Sequence, residues 1–436
     1  MLNVLQNRTY RHLFAAQVIA LLGTGLMTVA LGLLAYDLAE ADAGAVLGTA
    51  LAIKMIAYVG VAPVAQAFAD RVPRRSLLVA LDLVRAAVAL CLPFVSEIWQ
   101  IYLLIFVLQA ASASFTPAFQ ATIPDILPDE EDYTKALSLS RLAYDLENLV
   151  SPMLAALLLV VMSFHNLFAG TVVGFLVSAA LVVSVVLPAT VPGPRRGMWE
   201  RTTRGLRIYL ATPRLRGLLA ISLAVSAAGA MVIVNTVVIV KAGLGLGEAE
   251  VAWALAAFGG GSMIAAFTLP RLLEKVPDRP VMIAGAAILV LGTAIGAVIP
   301  TYAVLLPLWL VVGFGYSAAQ TPSGRLLRRS AHAEDRPAIF AAQFALSHAC
   351  WLICYPLAGR FGAAFGLQST FIVMSLVGLV GVVLALRLWP AGDPSNVTHD
   401  HPDLPPEHPH LREHAGQDKH RHHLIVDDLH RHWPQG

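Results

Sequence analysis

The chain alternates between apolar stretches of about twenty residues and short polar connections. A helix of ~20 residues crosses the ~30 Å hydrocarbon layer of a bilayer. The stretches are continuously apolar, whereas the strands of a membrane barrel alternate apolar and polar residues over about ten positions. The pattern therefore predicts an all-α membrane protein with twelve transmembrane helices, at residues 13–38, 45–69, 76–96, 99–123, 138–162, 166–188, 215–240, 248–272, 280–299, 302–322, 338–361 and 368–389.

The composition agrees with this arrangement and excludes an ordinary soluble domain. Of the 436 residues, 57% are hydrophobic and only 13% are charged, whereas soluble domains carry about 25% charged residues. The apolar run that follows Arg8 and Arg11 is too long for the core of a signal peptide, so we expect a retained first span. All three cysteines, Cys91, Cys350 and Cys354, fall in apolar stretches, and no disulfide framework is expected.

Arginines concentrate in the loops on one side of the predicted bundle, and the opposite loops carry mainly acidic residues. Positively charged loops stay in the cytoplasm when a membrane protein inserts. We therefore expect a multi-pass protein of a bacterial inner membrane with both termini in the cytoplasm. The loop arginines include Arg8, Arg11, Arg71, Arg74, Arg75, Arg195, Arg196, Arg201, Arg204, Arg207, Arg214, Arg216, Arg325, Arg328, Arg329 and Arg336.

The two halves of the chain share features at a nearly constant spacing. A Thr-Pro pair begins at Thr116 in the fourth span and at Thr321 in the tenth, 205 residues later. Pro152 in the fifth span and Pro356 in the eleventh are 204 residues apart. The spacing predicts two six-helix bundles, formed by residues 1–189 and 215–389.

The linker between the bundles, residues 190–214, opens with Pro-Gly-Pro and continues with an amphipathic pattern. Its larger apolar residues recur at helical spacing, with arginines mostly elsewhere. This pattern predicts a short helix that lies on the cytoplasmic membrane surface, and a plain basic linker is the alternative. The residues of the apolar face are Trp199, Leu206, Tyr209 and Leu210.

The loop between the second and third spans carries a recognisable motif. Its sequence Ala-Asp-Arg-Val-Pro-Arg-Arg, residues 69–75, resembles the Gly-x-Leu-Ala-Asp-Arg-x-Gly-Arg-Arg signature of major facilitator transporters, although Gln66 and Pro73 replace the two glycines. The resemblance implies a 6+6 pseudo-symmetric fold of twelve helices. It also implies that an aspartate and its neighbouring arginines latch a cytoplasmic gate, and these gating residues are Asp70, Arg71, Arg74 and Arg75.

Two further segments narrow the resemblance within that family. The linker from Gly205 to Arg216 resembles the drug and siderophore efflux branch, and the histidine-rich C-terminus resembles the tails of nickel-resistance exporters. Together they imply a proton-coupled antiporter. No Walker loop or zincin motif is present in the sequence, so we expect neither ATP-driven transport of that kind nor an enzyme.

Charged residues inside membrane spans are costly and face the bundle interior or an aqueous cavity. In the fifth span Arg141 and Asp145 are four residues apart and can pair. This pairing leaves Glu147 without a partner nearby in the sequence, so Glu147 is a candidate proton carrier. The alternative is that the inner end of this span is simply hydrated.

Other polar residues in the spans allow structural as well as functional interpretations. Asp82 and Arg85 are three residues apart and are expected to form a structural ion pair. Lys54 could snorkel or pair with a carboxylate of another span. The remaining candidates for lining a cavity, for which hydrogen bonding between helices is the alternative, are Asn235, Gln343 and His348.

Residues 390–436 change abruptly to a polar, proline-rich composition, so we expect a largely disordered cytoplasmic tail. The tail contains ten of the fourteen histidines, many of them as His-x-His pairs. Imidazole groups suit nickel, cobalt and zinc, and a solvated tail with incidental metal affinity is the alternative. The candidate ligands are His399, His401, His408, His410, His414, His420, His422, His423, His430 and His432.

Three functions are compatible with these features. The leading hypothesis is proton-coupled export of a divalent transition-metal ion, nickel or cobalt, with the tail as a collector. The first alternative is export of drugs or siderophore-like organic compounds, and the second is a membrane metal sensor that transports nothing. In each case we expect no cofactor beyond metal bound by the tail. We expect a monomer whose partners are the bilayer, protons and a small solute or metal ion, and no nucleic acid.

Overall fold

The computed structural model describes residues 2–39, 43–69, 72–188, 197–298, 301–392, 396–400, 419–430 and 433. In this part of the chain the fold consists of twelve long helices, two shorter helices and one short pair of strands. The long helices are α1 (Arg8–Ala39), α2 (Ala43–Ala69), α3 (Arg74–Cys91), α4 (Ile98–Ile126), α5 (Glu130–Leu159), α6 (His165–Val183), α8 (Pro213–Val237), α9 (Glu248–Leu273), α10 (Asp278–Gly296), α11 (Tyr302–Gln320), α13 (Arg336–Pro356) and α14 (Gly362–Leu388), and the shorter ones are α7 (Met198–Ala211) and α12 (Ser323–Arg329).

The predicted all-α class and its twelve long helices are confirmed within the described residues. Ten of the helices there are long and apolar enough to cross a membrane. The other two are α2 and α5, and in α2 the apolar stretch among the described side chains is Ala52–Ala65. Helix α5 begins at Glu130 with three acidic residues in its first turn, ahead of the predicted start at residue 138. Acidic side chains stabilise a helix N-terminus, which explains the additional turns.

Corresponding helices of the two halves make corresponding contacts. Helix α1 packs against α5 and α6 in the first half, and α8 packs against α13 and α14 in the second. The α2–α4 and α3–α6 contacts of the first half likewise recur as α9–α11 and α10–α14. The halves meet where α2 and α4 contact α13 and where α5 contacts α9. We call the side on which α1 begins and α14 ends the terminal side.

Glycines let α9 and α11 approach until their backbones touch. A Cβ atom at Gly261 would lie 1.8 Å from the carbonyl oxygen of Leu310, and one at Gly313 would lie 1.9 Å from the carbonyl oxygen of Phe258. Such distances are far inside van der Waals contact. Small residues at helix crossings are the usual route to tight packing in a membrane, where apolar surface gains nothing by leaving lipid.

The expected ion pair between Asp82 and Arg85 is confirmed, and it lies in the core of the first half. Asp82 is fully buried and also accepts a hydrogen bond of 2.8 Å from Ser178 on α6. The Arg85 guanidinium lies between two aromatic rings, 4.0 Å from the centre of Phe115 and 4.6 Å from that of Phe175. The pair therefore joins α3, α4 and α6, which is the structural role expected from the sequence.

The linker helix α7 packs against α13 and α2 on the terminal side. Its buried face contains Arg204, Ile208 and Tyr209, while Trp199 is 80% exposed. The predicted apolar face is therefore corrected, because Tyr209 faces the protein and an arginine takes part in the packed face. The position of the exposed Trp199 on a membrane surface stays a prediction.

The prediction of a disordered tail is wrong for part of it. Strands β1 (Asn396–Asp400) and β2 (Lys419–His423) pair in antiparallel fashion, and Leu424 and Val426 after them are only 1% and 3% exposed. Val426 packs with the apolar core of the second half. The polar composition of the tail as a whole does not reveal that these two apolar side chains are buried. Residues 401–418 lie outside the described part of the chain.

The two adjacent glycines of α9 provide a matched test of the backbone contact with α11. Gly261→Ala should destabilise the protein by about 2 kcal/mol, because the added methyl meets the Leu310 carbonyl and the core must shift. Gly260→Ala should keep or raise stability, since a Cβ there meets nothing within 4 Å and alanine favours helix by about 1 kcal/mol. Thermal unfolding of the purified protein in detergent measures both, and equal losses in the two variants would contradict the packing.

Candidate functional site

Five side chains form a polar and aromatic cluster where the two halves meet, near the middle of their helices. Lys54 and Tyr58 come from α2, Glu147 from α5, and Phe344 and His348 from α13. We call these residues the central cluster. The first three belong to the first half of the chain and the last two to the second, so any relative movement of the halves changes the cluster.

The aromatic part of the central cluster is closely packed. The Tyr58 ring lies edge-on to the His348 ring with their centres 4.7 Å apart, and it lies 4.8 Å from the Phe344 ring. The Nδ1 atom of His348 donates a hydrogen bond of 2.7 Å to the Phe344 carbonyl. This bond fixes the ring and leaves Nε2 as its other polar atom.

The charged part of the central cluster is a lysine and a glutamate. The Lys54 ammonium lies 5.5 Å from the centre of the Tyr58 ring, and its charge acts on both Glu147 and His348. The structure thus places a cationic group of another helix near enough for its charge to act on Glu147, where the sequence showed none. Glu147 sits where α5 crosses α1, since a Cβ at Gly25 would lie 3.6 Å from its Cγ atom.

Arg141, one turn and a half before Glu147, reaches across to the second half. Its Nε donates to the Ser262 hydroxyl at 3.2 Å, and its guanidinium lies 4.7 Å from the centre of the Tyr316 ring. These contacts join α5 to α9 and α11. The side chain of Asp145, the partner expected from the sequence, lies outside the described residues.

Two of the residues expected to line a cavity have structural contacts instead. Asn235 is 3% exposed and donates a hydrogen bond of 3.1 Å to the Ala358 carbonyl, so it ties α8 to the segment after α13. Gln343 accepts a hydrogen bond from the Tyr209 hydroxyl of the linker helix. Of the three, only His348 belongs to the central cluster. The helical period predicts which face of a helix carries such residues, but it does not predict which element packs against that face.

A second group of charges joins the halves on the terminal side. Asp125, at the end of α4, accepts from Arg74 of α3 at 2.5 Å and from Arg336 of α13 at 2.7 Å. We call these three residues the terminal latch. Nearby, Arg325 contacts Glu130 at 2.7 Å, and Arg328 donates to the Pro128 carbonyl. The ends of α4 and α5 are thereby held to α12 and α13.

The terminal latch includes one predicted gating residue and one that the sequence reading missed. Arg74 was expected in the gate, whereas Arg75 donates to the Val183 carbonyl within the first half. Asp70 and Arg71 lie outside the described residues. Asp125 was missed, although a carboxylate at the end of a span, opposite the arginine-rich loop, was a detectable signal.

Most of the metal ligands expected in the tail have side chains outside the described residues. Within the described side chains there is no group of three or more His, Cys, Asp or Glu residues that could hold a metal ion. His430 is buried and contacts Asp427 at 3.1 Å. Asp427 also contacts His332, and this hydrogen bond raises the pKa of His332 above its ordinary value. The side chains of the other candidates lie outside the described part, namely His399, His401, His408, His410, His414, His420, His422, His423 and His432.

Comparison with known proteins gives two bacterial efflux proteins as relatives. The chain is 25% identical over 362 residues to the multidrug efflux pump Tap of Mycolicibacterium fortuitum, covering 78% of this chain and 88% of the pump. A shorter match of 181 residues is 26% identical to macrolide efflux protein A of Streptococcus pyogenes. That match covers 40% of this chain and 44% of the efflux protein, less than half the length of either.

Solved structures of transporters share the fold. The human organic anion transporter MFSD10 (TETRAN) superposes with a TM-score of 0.76 at 12% identity, covering 87% of this chain and 99% of that one. A bacterial homologue of the iron transporter ferroportin superposes with a TM-score of 0.72 at 14% identity over 87% and 98% of the two chains.

The family assignment rests on the whole membrane domain. The Major Facilitator Superfamily matches residues 13–240 and again residues 218–415, so that each half is matched separately. This agrees with the paired contacts of corresponding helices in the two halves. The chain is therefore a multi-pass membrane protein with a non-enzymatic transporter fold, and it belongs to the Major Facilitator Superfamily.

Proposed function

We propose that the protein exports drug-like organic compounds from the cytoplasm in exchange for protons. The observation that carries the proposal is the central cluster, in which the rings of Tyr58, Phe344 and His348 lie with the charged groups of Lys54 and Glu147 where the two halves meet. Aromatic faces suit ring-bearing compounds and cations, and a carboxylate suits a basic group. The names of the efflux relatives support the same substrate class.

The sequence alone favoured a metal ion as the substrate and put organic compounds second, and here organic compounds come first. The histidine-rich tail put a metal ion first, but the similarity to drug and macrolide efflux proteins concerns the membrane domain, through which the substrate passes. The central cluster supports the same order, because Tyr58 and Phe344 contribute two closely packed aromatic rings to it.

Glu147 is the proposed carrier of the proton. A single carboxylate can hold a proton or pair with a cation, but it cannot do both at full strength, so the two ligands displace one another. Lys54 competes for the same carboxylate. Protonation of Glu147 would free the lysine and weaken the hold on a basic substrate, which is the coupling that an antiporter needs.

The terminal latch is the proposed gate on the cytoplasmic side. The positive-inside bias puts the terminal side in the cytoplasm. Asp125 with Arg74 and Arg336, and Arg325 with Glu130, hold the halves together there. In this conformation the central cluster would be reached from the opposite side, and release of the latch would open it to the cytoplasm. Asp70 and Arg71 would act at the same gate, as the family resemblance implies.

Metal binding by the tail is a second candidate activity. The register of the tail strands puts His399 directly opposite His420. Residues directly opposite in an antiparallel pair have Cβ atoms about 5 Å apart, close enough for two side chains to share a ligand. A tail of this kind would collect metal ions near the membrane without building the pathway.

The coupling role predicts a specific defect in Glu147→Gln. Proton-driven efflux of ethidium in proteoliposomes should fall at least about tenfold, a factor equivalent to ~1.4 kcal/mol. Downhill movement of ethidium should remain measurable, because the pathway itself is intact. Glu274→Gln, at the exposed end of α9, is the control and should behave like the wild type. An unchanged response to the pH gradient in Glu147→Gln would refute the assignment.

The gating role predicts that Asp125→Asn slows transport at normal abundance. The neutral amide cannot balance Arg74 and Arg336 together, so the cytoplasmic side closes less firmly and the cycle stalls. Asp132→Asn, which removes only a local contact with Lys135, is the control. The initial rate of transport in proteoliposomes measures the effect, and equal rates in Asp125→Asn and the control would contradict the gating role. Asp70→Asn should show the same defect if both aspartates serve one gate.

The tail predicts metal binding with a definite pH dependence. Full-length protein should bind nickel at pH 7.5 in calorimetric titration, and protein truncated after Gly392 should bind far less. Imidazoles must be neutral to bind a metal, so binding should weaken as the pH falls through ~6.5. Equal heats from the two proteins would leave the tail without a metal role.

A further inference from the structure

The end of the tail is docked on the terminal side of the bundle. Leu424 and Val426 are almost fully buried, and Val426 and Trp433 pack with the apolar core of the second half. The Trp433 ring lies 5.1 Å from the guanidinium of Arg214, which is itself 1% exposed. We call residues 424–430 together with Trp433 the tail strap.

One arginine of the linker helix fastens the tail strap to the second half. The Nη1 atom of Arg204 donates to Asp428 at 2.5 Å, and its Nε and Nη2 atoms donate to Asp335 at 2.5 and 2.8 Å. The side chain of Arg204 is only 5% exposed, so it depends on both carboxylates to balance its charge. The linker, the start of α13 and the tail strap are thus joined through a single guanidinium.

A second carboxylate shapes the tail strap. Asp427 accepts hydrogen bonds from the backbone amides of Leu429 and His430 at 2.8 and 2.6 Å. Its other oxygen contacts His332, in the loop before α13, at 3.5 Å. The two amide hydrogen bonds therefore fix the turn of the tail strap, and the contact with His332 orients this turn toward the loop before α13.

The tail strap lies where the two halves meet on the terminal side, which must open during transport. Ile425 lines a cavity of about 550 Å³ together with Glu130 of the first half and with Arg325 and Arg336 of the second. Arg325 contacts Glu130 directly, and Arg336 belongs to the terminal latch. Helix α7, which carries Arg204, packs on α2 of the first half as well as on α13.

We propose that the tail strap is an autoinhibitory lock that holds the terminal side closed until the strap detaches. When docked, it ties the linker helix to the loop before α13 and covers part of the seam next to the terminal latch. The inference rests on the proposed function only in requiring that the terminal side opens during transport. Because the strap belongs to the same chain, it rebinds at high effective concentration, so each contact can be weak and the lock reversible.

The test uses the full-length protein, Asp428→Asn, Asp428→Glu and a chain ending at His423. A cysteine introduced by Ala333→Cys, on the wall of the cavity, reports opening through its rate of labelling by a membrane-impermeant maleimide in everted vesicles. The parent protein without this substitution gives the background from Cys91, Cys350 and Cys354. Ethidium transport in proteoliposomes is measured on the same set.

Asp428→Asn should label and transport about two- to fivefold faster than the wild type, the effect of neutralising a partly exposed carboxylate that contacts Arg204 and Arg207. The chain ending at His423 should be labelled faster, and should transport faster, than Asp428→Asn. Asp428→Glu keeps the charge and should stay near the wild type.

Unchanged labelling in the shortened chain would overturn the lock. A fall in transport in that chain would also overturn it, because removing an inhibitor cannot slow the cycle. Labelling needs no substrate, so it judges the tail strap even if ethidium is not transported and the proposed function fails.

Discussion

A hydrocarbon layer supplies no hydrogen-bond partners, so every backbone amide and every charged side chain within it must be satisfied inside the protein. The helices follow from the first requirement, and the arrangement of charges follows from the second. Asp82 and Arg85 meet it within one helix and use Ser178 and two aromatic rings to complete the site. Their position is consequently fixed, and they hold α3, α4 and α6 of the first half together.

Three other charged groups of the described spans, Lys54, Arg141 and Glu147, lie where the halves meet, and this placement makes movement possible. Arg141 contacts Ser262 and Tyr316 of the other half, and the charge of Lys54 acts on both Glu147 and His348. Interactions of this kind can be exchanged for contacts with a substrate or a proton. The Asp82–Arg85 pair, in contrast, is buried in the core of one half, and separating it would leave a charge with no replacement partner, at a cost of several kcal/mol.

On the terminal side the same principle operates with more arginines. The terminal latch joins α3, α4 and α13 through one carboxylate, and Arg204 joins the linker, the loop before α13 and the tail through one guanidinium. Each is a junction of three segments at a single charged group, so a movement of one segment changes the contacts of the other two. The tail strap lies beside the terminal latch, because Ile425 lines the same cavity as Arg336.

The sequence by itself determined the features that depend on local spacing. Apolar stretches long enough for a bilayer defined the helices, and the spacing of Asp82 and Arg85 defined their pair, because neighbours on one helix face are set by its 3.6-residue period. Only the tertiary structure decided that Lys54 lies near Glu147, that Asp125 binds Arg336, and that Asp428 reaches Arg204. These residues are far apart in the chain, and which helix faces meet depends on the packing of the whole bundle. The tail shows the same limit, since its polar composition predicted disorder, whereas Val426 and Trp433 pack with the core of the second half and Asp428 pairs with Arg204.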